Sequence, residues 1–592
     1  MDEIIKLSHG DWLYNCGILG LYNILSHNSD VEGMVLGQDT FEFPISAIEG
    51  MADKYFEYFM DTYEKTFSMY RIISFKSFLD KHENSNFKEF DKNSLEGLNA
   101  QIEQTKKYMK SNSYVSAYSL IKSEFKPLDE EKKLKKIILK KNENIQDRIA
   151  DIKLQVELLR NIINFFERDD SRKYIGAKNA MYSVINNSWG NISFLNRQVK
   201  NPDMYSEYDS YFIKPVKEYL NISEKELTNS KYRCISCNSK IKNLDIDLGF
   251  IKEIGFDVKR KTSHVWDFNN YVGICPICRL VYACVSAGFT YLYDRGIFVN
   301  YSMDLRELYR INTRIKNDVL QSMDNNTVVY RALQKQMDYM TNENTSFELA
   351  DIQVVRFKRD KEKIKYSFSI LSKSMLKTVK ECKLQLEKIR NAYFSEGEER
   401  IYVYNEVIQR LFNNSNQFSL IHKLIYNKLS MPESSKYTMD TVSNILKINL
   451  QFLKEVGYMA KDEKKDRNVI SMAELQGKKL QNFYNQFGGI YESGLSDYAN
   501  DMQKKNGEKK YNKKLDSIAY RMLNALRTDN KFLFMDTMIK AYMYAKKEIP
   551  TIFAEHLGES DYQEFKIIGY AFITGMLGIS KNNQYDEKKE EK

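Results

Sequence analysis

The sequence predicts an α+β fold that is mainly helical, with a mixed N-terminal part, a small four-cysteine zinc ribbon insertion and a C-terminal helical bundle. Only 7 prolines and 25 glycines interrupt the 592 residues, so long helices can run without breakers. Apolar residues recur at helical spacing over long stretches. Four cysteines, in two close pairs, lie in a stretch with little periodicity. The length exceeds that of one hydrophobic core, and we expect several domains.

Changes of pattern along the chain divide it into five predicted parts. These are a mixed α/β part (1–127), a helical segment (128–231), the zinc ribbon insertion (232–280), a mixed α/β and helical part (281–460) and a C-terminal helical bundle (461–592). Helical spacing predicts one or two amphipathic helices over 128–166. Alternation in IFVNYSM, DIQVVRF and KIKYSFSIL predicts a small sheet in the fourth part.

The last part opens with a charged run at 461–468, which we expect to be a linker. Within it, two sets of apolar residues are spaced as on helices of a bundle. They are Leu515, Ile518, Ala519, Met522 and Leu526, and Phe534, Met538, Ile539 and Tyr542. The polar tail from about 580 is expected to be disordered.

Composition limits the surroundings and partners of the protein. The N-terminus is acidic and lacks an apolar stretch of signal-peptide length, so a cytoplasmic location is expected. No apolar run reaches the roughly 18 residues that a membrane span requires. Lys plus Arg is 89 and Asp plus Glu is 80, and the net charge of +9 permits an acidic partner without requiring one.

The most specific signal is a pair of CxxC motifs, Cys234 with Cys237 and Cys275 with Cys278, separated by 37 residues. Four thiolates can close a tetrahedral zinc site and leave no open position for water or substrate. We therefore predict a structural Zn²⁺ held by these four side chains. Ordinary buried thiols and a redox CxxC are the alternatives. The other cysteines lack partners at ligand spacing and are interpreted as packing residues: Cys16, Cys284 and Cys382.

An enzymatic alternative comes from His264, Asn269 and Asn270, because HNH-type nucleases can place a catalytic His and Asn between zinc-binding cysteine pairs. An acidic residue directly before His264 and a further His or Asn after Cys278 are missing. Walker A, GxGxxG, HExxH and GxSxG motifs are also absent from the sequence. We therefore expect a protein that is not an enzyme and has no catalytic residues. A structural zinc protein without a nucleic-acid role is a third interpretation.

Three basic clusters can neutralise phosphates in a sequence-independent, salt-sensitive way. Their members are Lys132, Lys133, Lys135, Lys136, Lys140 and Lys141; Lys259, Arg260 and Lys261 within the ribbon; and Lys504, Lys505, Lys509, Lys510, Lys513 and Lys514. A solvated helix face is the alternative for each cluster taken singly. Three clusters in one chain favour polyanion binding.

The segment HGDWLYNCGILGLYNIL at 9–25 resembles the opening motif of the large subunit of type I-B CRISPR surveillance complexes, called Cascade, in the form D-W-L-x-N-x-G-x-x-G-x-x-x-I-L. The two CxxC motifs and the segment DSIAYRMLNALR at 516–527 are also similar to that family. Read without the family, the first segment is a helix in which Gly17 and Gly20 permit close approach of a neighbour.

The resemblance implies a non-catalytic large subunit that joins backbone and small subunits around a guide RNA. Such a subunit contacts the protospacer-adjacent motif of target double-stranded DNA, helps to open the duplex, and works with a recruited helicase-nuclease. Asn15 is then a candidate contact to a base edge or phosphate. The C-terminal bundle would resemble the Cascade small subunit, and Met459 and Met472 are candidate internal starts for its separate synthesis.

Overall fold

The structure is a computed structural model, and its described residues fall into two compact units. Described are 3–140, 143–190, 192, 195, 203–255, 272–322, 327–343, 352–360, 363–397, 399–430, 435–459, 469–494, 501–555 and 562–578. Unit 1 comprises 1–321 with 350–368, and unit 2 comprises 322–349 with 369–592. The chain is mainly helical with small sheets, so the predicted fold class is confirmed. The predicted five-part division stays a prediction.

Unit 1 opens with a strand, a long helix and a short antiparallel sheet. Its helices are α1 (Trp12–Leu25), α2 (Met51–Tyr63), α3 (Ser68–Ile73), α4 (Lys76–Asn84), α5 (Lys92–Met109), α6 (Asn112–Tyr118), α7 (Pro127–Lys133), α8 (Ile149–Phe166), α9 (Asp169–Ser171), α10 (Ala177–Ser183), α11 (Met204–Tyr208), α12 (Lys214–Leu220), α13 (Glu224–Thr228), α14 (Pro276–Ala283), α15 (Val285–Gly288) and α16 (Leu305–Gln321). No helix among the described residues is long and apolar enough to cross a bilayer.

Three sheets belong to unit 1, except that the last two residues of the final strand, Ser369 and Ile370, fall in unit 2. Their strands are β1 (Ile4–Ser8), β2 (Val35–Leu36) and β3 (Thr40–Pro44), in the order β1-β3-β2; β4 (Tyr232–Arg233) with β5 (Lys240–Ile241); and β6 (Thr290–Leu292), β7 (Arg295–Tyr301), β8 (Ile352–Asp360) and β9 (Lys363–Ile370), in that order. In the last sheet Ile297 lies opposite Arg356 and Thr290 opposite Ile297, both antiparallel. The small sheet predicted from three alternating segments is therefore confirmed.

The helix α1 is buried around most of its circumference, which places it in the interior of unit 1. Asp11 caps its N-terminus, accepting hydrogen bonds from the N–H groups of Leu13 (2.7 Å) and Tyr14 (2.9 Å). This cap explains why an aspartate precedes the Trp-Leu pair of the motif. The ring of Trp12 packs edge-on against Phe289 at 6.4 Å.

The prediction of one or two helices over 128–166 is correct only in part. Helix α7 ends at Lys133 and α8 begins at Ile149, and 134–140 is not helical. Side chains of other helices take the backbone hydrogen bonds of that segment: Asn99 donates to the Ile137 carbonyl (2.8 Å) and accepts from its N–H (2.9 Å), and Gln155 accepts from the Lys135 N–H (2.8 Å). Because Leu134 and Ile137 are still buried, their helix-like spacing is satisfied without a helix.

Unit 2 is mainly helical. Its elements are α17 (Val328–Glu343), α18 (Lys373–Glu381), α19 (Lys383–Lys388), α20 (Val403–Phe412), α21 (Phe418–Ser430), α22 (Met439–Glu455), α23 (Val469–Gly494), α24 (Asp501–Arg527), α25 (Lys531–Ala545), α26 (Thr551–Glu555) and α27 (Tyr562–Leu577), with β10 (Tyr393–Glu396), β11 (Glu399–Tyr402) and β12 (Ser435–Lys436) in the order β11-β10-β12. The linker at 461–468 and the tail from 580 lie outside the described residues.

The C-terminal helices pack as a bundle, as predicted. The backbones of α23 and α27 approach closely, because a Cβ placed on Gly477 would lie 2.0 Å from the Phe572 carbonyl oxygen and one on Gly575 would lie 2.0 Å from that of Glu474. On α24, Ala519 and Met522 are fully buried, and on α25 so are Phe534 and Met538. Both predicted apolar faces therefore point into the bundle.

Candidate metal centre

The first cysteine pair lies in the tight turn between β4 and β5. The Cys234 N–H donates to the Ser239 carbonyl (2.8 Å), and the Asn238 N–H donates to the Cys234 carbonyl (2.9 Å). Asn238 has φ of 60°, a left-handed conformation that asparagine tolerates better than most residues. The turn therefore brings the Cys234 and Cys237 side chains to the same side.

The second pair starts a helix. Cys275 is the N-cap of α14, and its Sγ accepts a hydrogen bond from the Cys278 N–H at 3.3 Å. Pro276 at the first helical position favours this start, because its fixed φ suits a helix and its missing N–H would have no partner there. The two pairs are joined through Gly273, whose carbonyl accepts from the Ile235 N–H at 3.0 Å.

The four sulfur atoms lie within 4.8 Å of one another, and Cys237 Sγ is 3.7 Å from Cys275 Sγ. Zn–S bonds of about 2.3 Å in a tetrahedron place the sulfurs roughly 3.8 Å apart. Cys234, Cys275 and Cys278 are buried, whereas Cys237 is exposed. The geometry thus fits a metal ion such as zinc held by four cysteines, as the spacing predicted.

The four neighbouring thiols shift one another's pKa values. Hydrogen bonds from Cys234 and then from Cys275 and Cys278 hold the pKa of Cys237 far below its ordinary value. Hydrogen bonding to Cys234, Cys237 and Cys275, followed by burial, raises the pKa of Cys278. A divalent cation would supply the positive charge that lets all four sulfurs exist as thiolates.

The N-terminal motif packs directly on the helices that follow the second pair. A Cβ placed on Gly17 would lie 2.5 Å from the Val281 carbonyl oxygen, and one on Gly20 would lie 1.8 Å from that of Cys284. On the other side of the contact, a Cβ placed on Gly288 of α15 would lie 2.0 Å from the Cys16 carbonyl oxygen of α1. The backbones of α1, α14 and α15 are therefore in contact, and the predicted use of Gly17 and Gly20 is confirmed.

One side chain of the motif reaches the metal centre itself. The Tyr14 hydroxyl lies 3.3 Å from Cys278 Sγ, and the Tyr14 ring packs against that of Tyr282 at 5.4 Å. Tyr14 is buried, and burial followed by the nearby Cys278 raises its pKa. Motif and metal site, which are more than two hundred residues apart in sequence, thus form one structural unit. The sequence reasoning did not find Tyr14 as a neighbour of the site.

Asn15, a candidate nucleic-acid contact, lies inside the fold. Its side chain has no solvent exposure. Its Oδ1 accepts from the Gly10 N–H (2.7 Å), and its Nδ2 donates to the Gly10 carbonyl and to Asn300 Oδ1, both at 3.0 Å. These bonds fix the turn before α1 and tie it to β7, so this placement does not fit a direct contact with base or phosphate.

The first basic cluster lies on the surface but is largely paired. Three of its lysines pair with carboxylates: Lys132 with Asp129 (3.1 Å), Lys133 with Glu130 (2.6 Å) and Lys136 with Glu103. Lys135 and Lys140 are exposed, and Lys141 lies outside the described residues. Exposed ion pairs of this kind are weak, so phosphates can replace the carboxylates at little cost. Nucleic-acid binding by this cluster stays a prediction.

The other two clusters are placed only in part. Lys504, Lys505, Lys509, Lys510, Lys513 and Lys514 all lie on α24, and Lys514 is exposed with its Nζ 3.6 Å from the centre of the Tyr544 ring. The residues predicted between the cysteine pairs lie outside the described residues: Lys259, Arg260, Lys261, His264, Asn269 and Asn270.

Comparison with known proteins bears on the segment that contains the cysteine site. Residues 227–290 match the CRISPR-associated protein family Cas_CXXC_CXXC. The match supports a CRISPR-associated protein. It covers a minor part of the chain, and that part contains both CxxC pairs and α14, on which the N-terminal motif packs. A search of curated proteins finds no match to the chain.

Proposed function

We propose that the protein is the non-catalytic large subunit of a type I-B Cascade complex. In this role it binds guide RNA and target double-stranded DNA, contacts the backbone and small subunits, recognises the protospacer-adjacent motif, supports R-loop formation and recruits a helicase-nuclease. The proposal rests above all on the match of 227–290 to a CRISPR-associated family, because that segment supplies the metal centre on which the N-terminal motif packs.

The metal centre supports a scaffolding role. Cys234, Cys237, Cys275 and Cys278 would all bind one zinc ion, which leaves no position for water or substrate. Zinc bound there contributes folding free energy and performs no hydrolysis. Its ligands fix the β4–β5 turn and the start of α14, and through α14 they fix the position of α1. A rigid part of this kind suits a subunit that must hold its partners in register.

The remaining features suit a nucleic-acid partner. Six lysines lie on α24 within a helical bundle, where they can follow a sugar-phosphate backbone. In RNA-guided recognition the guide pairs with the target and supplies the sequence specificity, while protein contacts read a short flanking motif in the duplex. In this proposal the C-terminal bundle takes the place of a Cascade small subunit. Separate synthesis from Met459 or Met472 would release it as a fragment, which intact-mass measurement can detect.

Target binding by complexes assembled with and without the chain tests this proposal. The complex is purified from cells that express the backbone subunits and a guide RNA, and its affinity for a matching duplex is measured by electrophoretic mobility shift. We expect tight binding that requires the correct flanking motif and is lost without the chain. Equal binding with and without the chain would contradict the proposed role.

A cleavage assay distinguishes the proposal from the nuclease alternative. The purified chain is incubated with single- and double-stranded DNA in Mg²⁺ or Mn²⁺, and we expect no cleavage. Cleavage that disappears in His264→Ala would instead identify an HNH-type nuclease, whose reaction needs open metal-ligand positions. An absence of salt-dependent binding to any polyanion would favour a purely structural zinc protein.

A further inference from the structure

Unit 1 contains a cavity of about 310 Å³ that is not part of the metal centre. Its walls come from the end of α2, the turn after it and α3, from the end of α10, from the β6–β7 hairpin and from the end of β8. The lining is rich in aromatic rings and positive charge, with Arg71, Arg359, Tyr182, Tyr291 and Tyr293 among its members. Its volume lies at the lower end of the range for small-ligand sites.

Tyr293 occupies an unusual position at this cavity. Leu292 pairs with Arg295, so Tyr293 and Asp294 form a two-residue hairpin turn. Tyr293 has φ of 54°, in the left-handed region where such turns normally place Gly, Asn or Asp. Its side chain is 57% exposed, and within the described residues its ring has no hydrogen bond or ring contact. A bulky residue held in a strained conformation without an internal contact points to an external one.

The positive charge at the cavity is not neutralised by ion pairs. Arg71 Nη1 donates to the Tyr108 hydroxyl (3.2 Å), and Arg359 Nη2 donates to the Asn186 carbonyl (2.7 Å). Both acceptors are uncharged, and among the described residues no carboxylate lies within ion-pair distance of either guanidinium. Lys252 Nζ donates to the same Asn186 carbonyl (2.8 Å), which places a further cation near Arg359.

The half-buried state of Arg359 indicates what would complete the site. Burial lowers the pKa of Arg359, and only longer-range attraction to Tyr291, Tyr366 and Asp294 opposes it. An anion in the cavity would form charge-assisted hydrogen bonds with its guanidinium, and phosphate suits the planar fork of arginine. The exposed carboxylate of Asp294 is an acceptor only, so it suits the amino or imino N–H groups of a nucleobase.

We infer that this cavity binds one unpaired nucleotide of a single strand, with its phosphate at Arg71 and Arg359 and its base stacked on Tyr293. The inference deepens the proposed function and rests on it. Aromatic rings bind successive bases of single strands in this way, and stacking tolerates any base sequence. The strand is either an unpaired part of the guide RNA or the single-stranded DNA exposed when the target duplex opens.

Replacing Tyr293 by glycine separates binding from folding. Glycine adopts the left-handed turn without strain, so Tyr293→Gly should fold at least as well as the wild type. The full-length chain is titrated against fluorescein-labelled eight-nucleotide RNA and DNA of the same sequence, and fluorescence anisotropy gives the affinity. We expect a 5- to 150-fold loss of affinity, the equivalent of 1–3 kcal/mol for one stacked base. Tyr293→Trp, which keeps a stacking surface, should retain binding.

Two further variants test specificity. Tyr458→Ala removes a ring of unit 2 that is 66% exposed, and it should leave the affinity unchanged. Arg71→Gln should flatten the dependence of log affinity on log salt by about 0.7, the value for one phosphate contact of a single strand. If the substitutions weaken binding of the RNA alone, the ligand is the guide. If they weaken binding of the DNA alone, the ligand is the opened target strand.

The possible failures are distinguishable. If the wild type binds neither strand, the inference about this cavity fails, whereas the proposed function is judged separately by duplex binding of the assembled complex. A second outcome is that the wild type binds, Tyr293→Gly binds equally well, and Arg71→Gln shows the salt dependence of the wild type. Only the inference about this cavity is then overturned.

Discussion

Substitution of Gly20 by alanine tests the close contact between the N-terminal motif and the helices of the metal centre. The new Cβ would lie 1.8 Å from the Cys284 carbonyl oxygen, about 1.6 Å short of the 3.4 Å at which ordinary contact begins. Neither atom belongs to a side chain that can rotate away, so α1 must separate from α15. Overpacking of an interior typically costs about 1–3 kcal/mol, and a contact between two backbones falls at the upper end or beyond it.

The matched control is Gly97→Ala. Gly97 also lies inside a helix, α5, but its nearest neighbour to an added Cβ is Phe78 at 3.9 Å, an ordinary contact. Alanine there should stabilise the helix by about 0.5–1 kcal/mol.

The assay follows thermal unfolding together with zinc release to a coloured chelator. We expect Gly20→Ala to lower the unfolding temperature of unit 1 by several degrees and to release zinc at a correspondingly lower temperature. Gly97→Ala should do neither. If Gly20→Ala unfolds and releases zinc at the same temperature as the wild type, the contact between α1 and α15 described above is wrong.

Three other perturbations have defined outcomes. Cys278→Ser should abolish stoichiometric zinc, measured by elemental mass spectrometry, whereas an undiminished zinc content would place the metal elsewhere. Glu131 is 1% exposed and lies 3.0 Å from both Lys106 and Lys110. Burial alone would raise the pKa of Glu131, but the two lysines lower it. The stability that the charged carboxylate contributes is therefore present above the pKa of the unfolded chain and is lost as the pH falls. Glu131→Gln should therefore lower the free energy of unfolding by about 1.5–3 kcal/mol at neutral pH and reduce its further decrease toward acid pH. An unchanged decrease toward acid pH would refute this. Replacing the six lysines at 504–514 by glutamine should weaken DNA binding broadly and flatten its salt dependence, and an unchanged slope would exclude them as phosphate contacts.

Local patterns in the sequence predicted much of the fold. The segments predicted as strands are β7, β8 and β9, although β7 is buried on both faces. The paired CxxC spacing located the metal centre, because four ligands at such spacing have few other uses. The prediction extended helix over too much of 128–166. Side chains of α5 and α8 hydrogen-bond the backbone between Leu134 and Lys140, and the local sequence pattern does not reveal such contacts.

Long-range contacts could not be read from the sequence. The motif residues Gly17 and Gly20 indicated close packing, but not that the partners would be α14 and α15. Asn15 looked like a polar residue available for recognition, and only the structure shows its amide bonded to the turn before α1 and to Asn300. Tyr293 had a local signal that was missed: the Tyr-Asp pair between two strand-forming stretches has the length of a hairpin turn.

The central claim, that this chain works within an RNA-guided complex, is tested most directly by purifying the tagged chain from cells that express it naturally. Bound proteins are identified by mass spectrometry, and bound RNA is sequenced. The account predicts recovery of CRISPR guide RNA together with a backbone-forming subunit. A lone chain without RNA after mild lysis at low salt would contradict it.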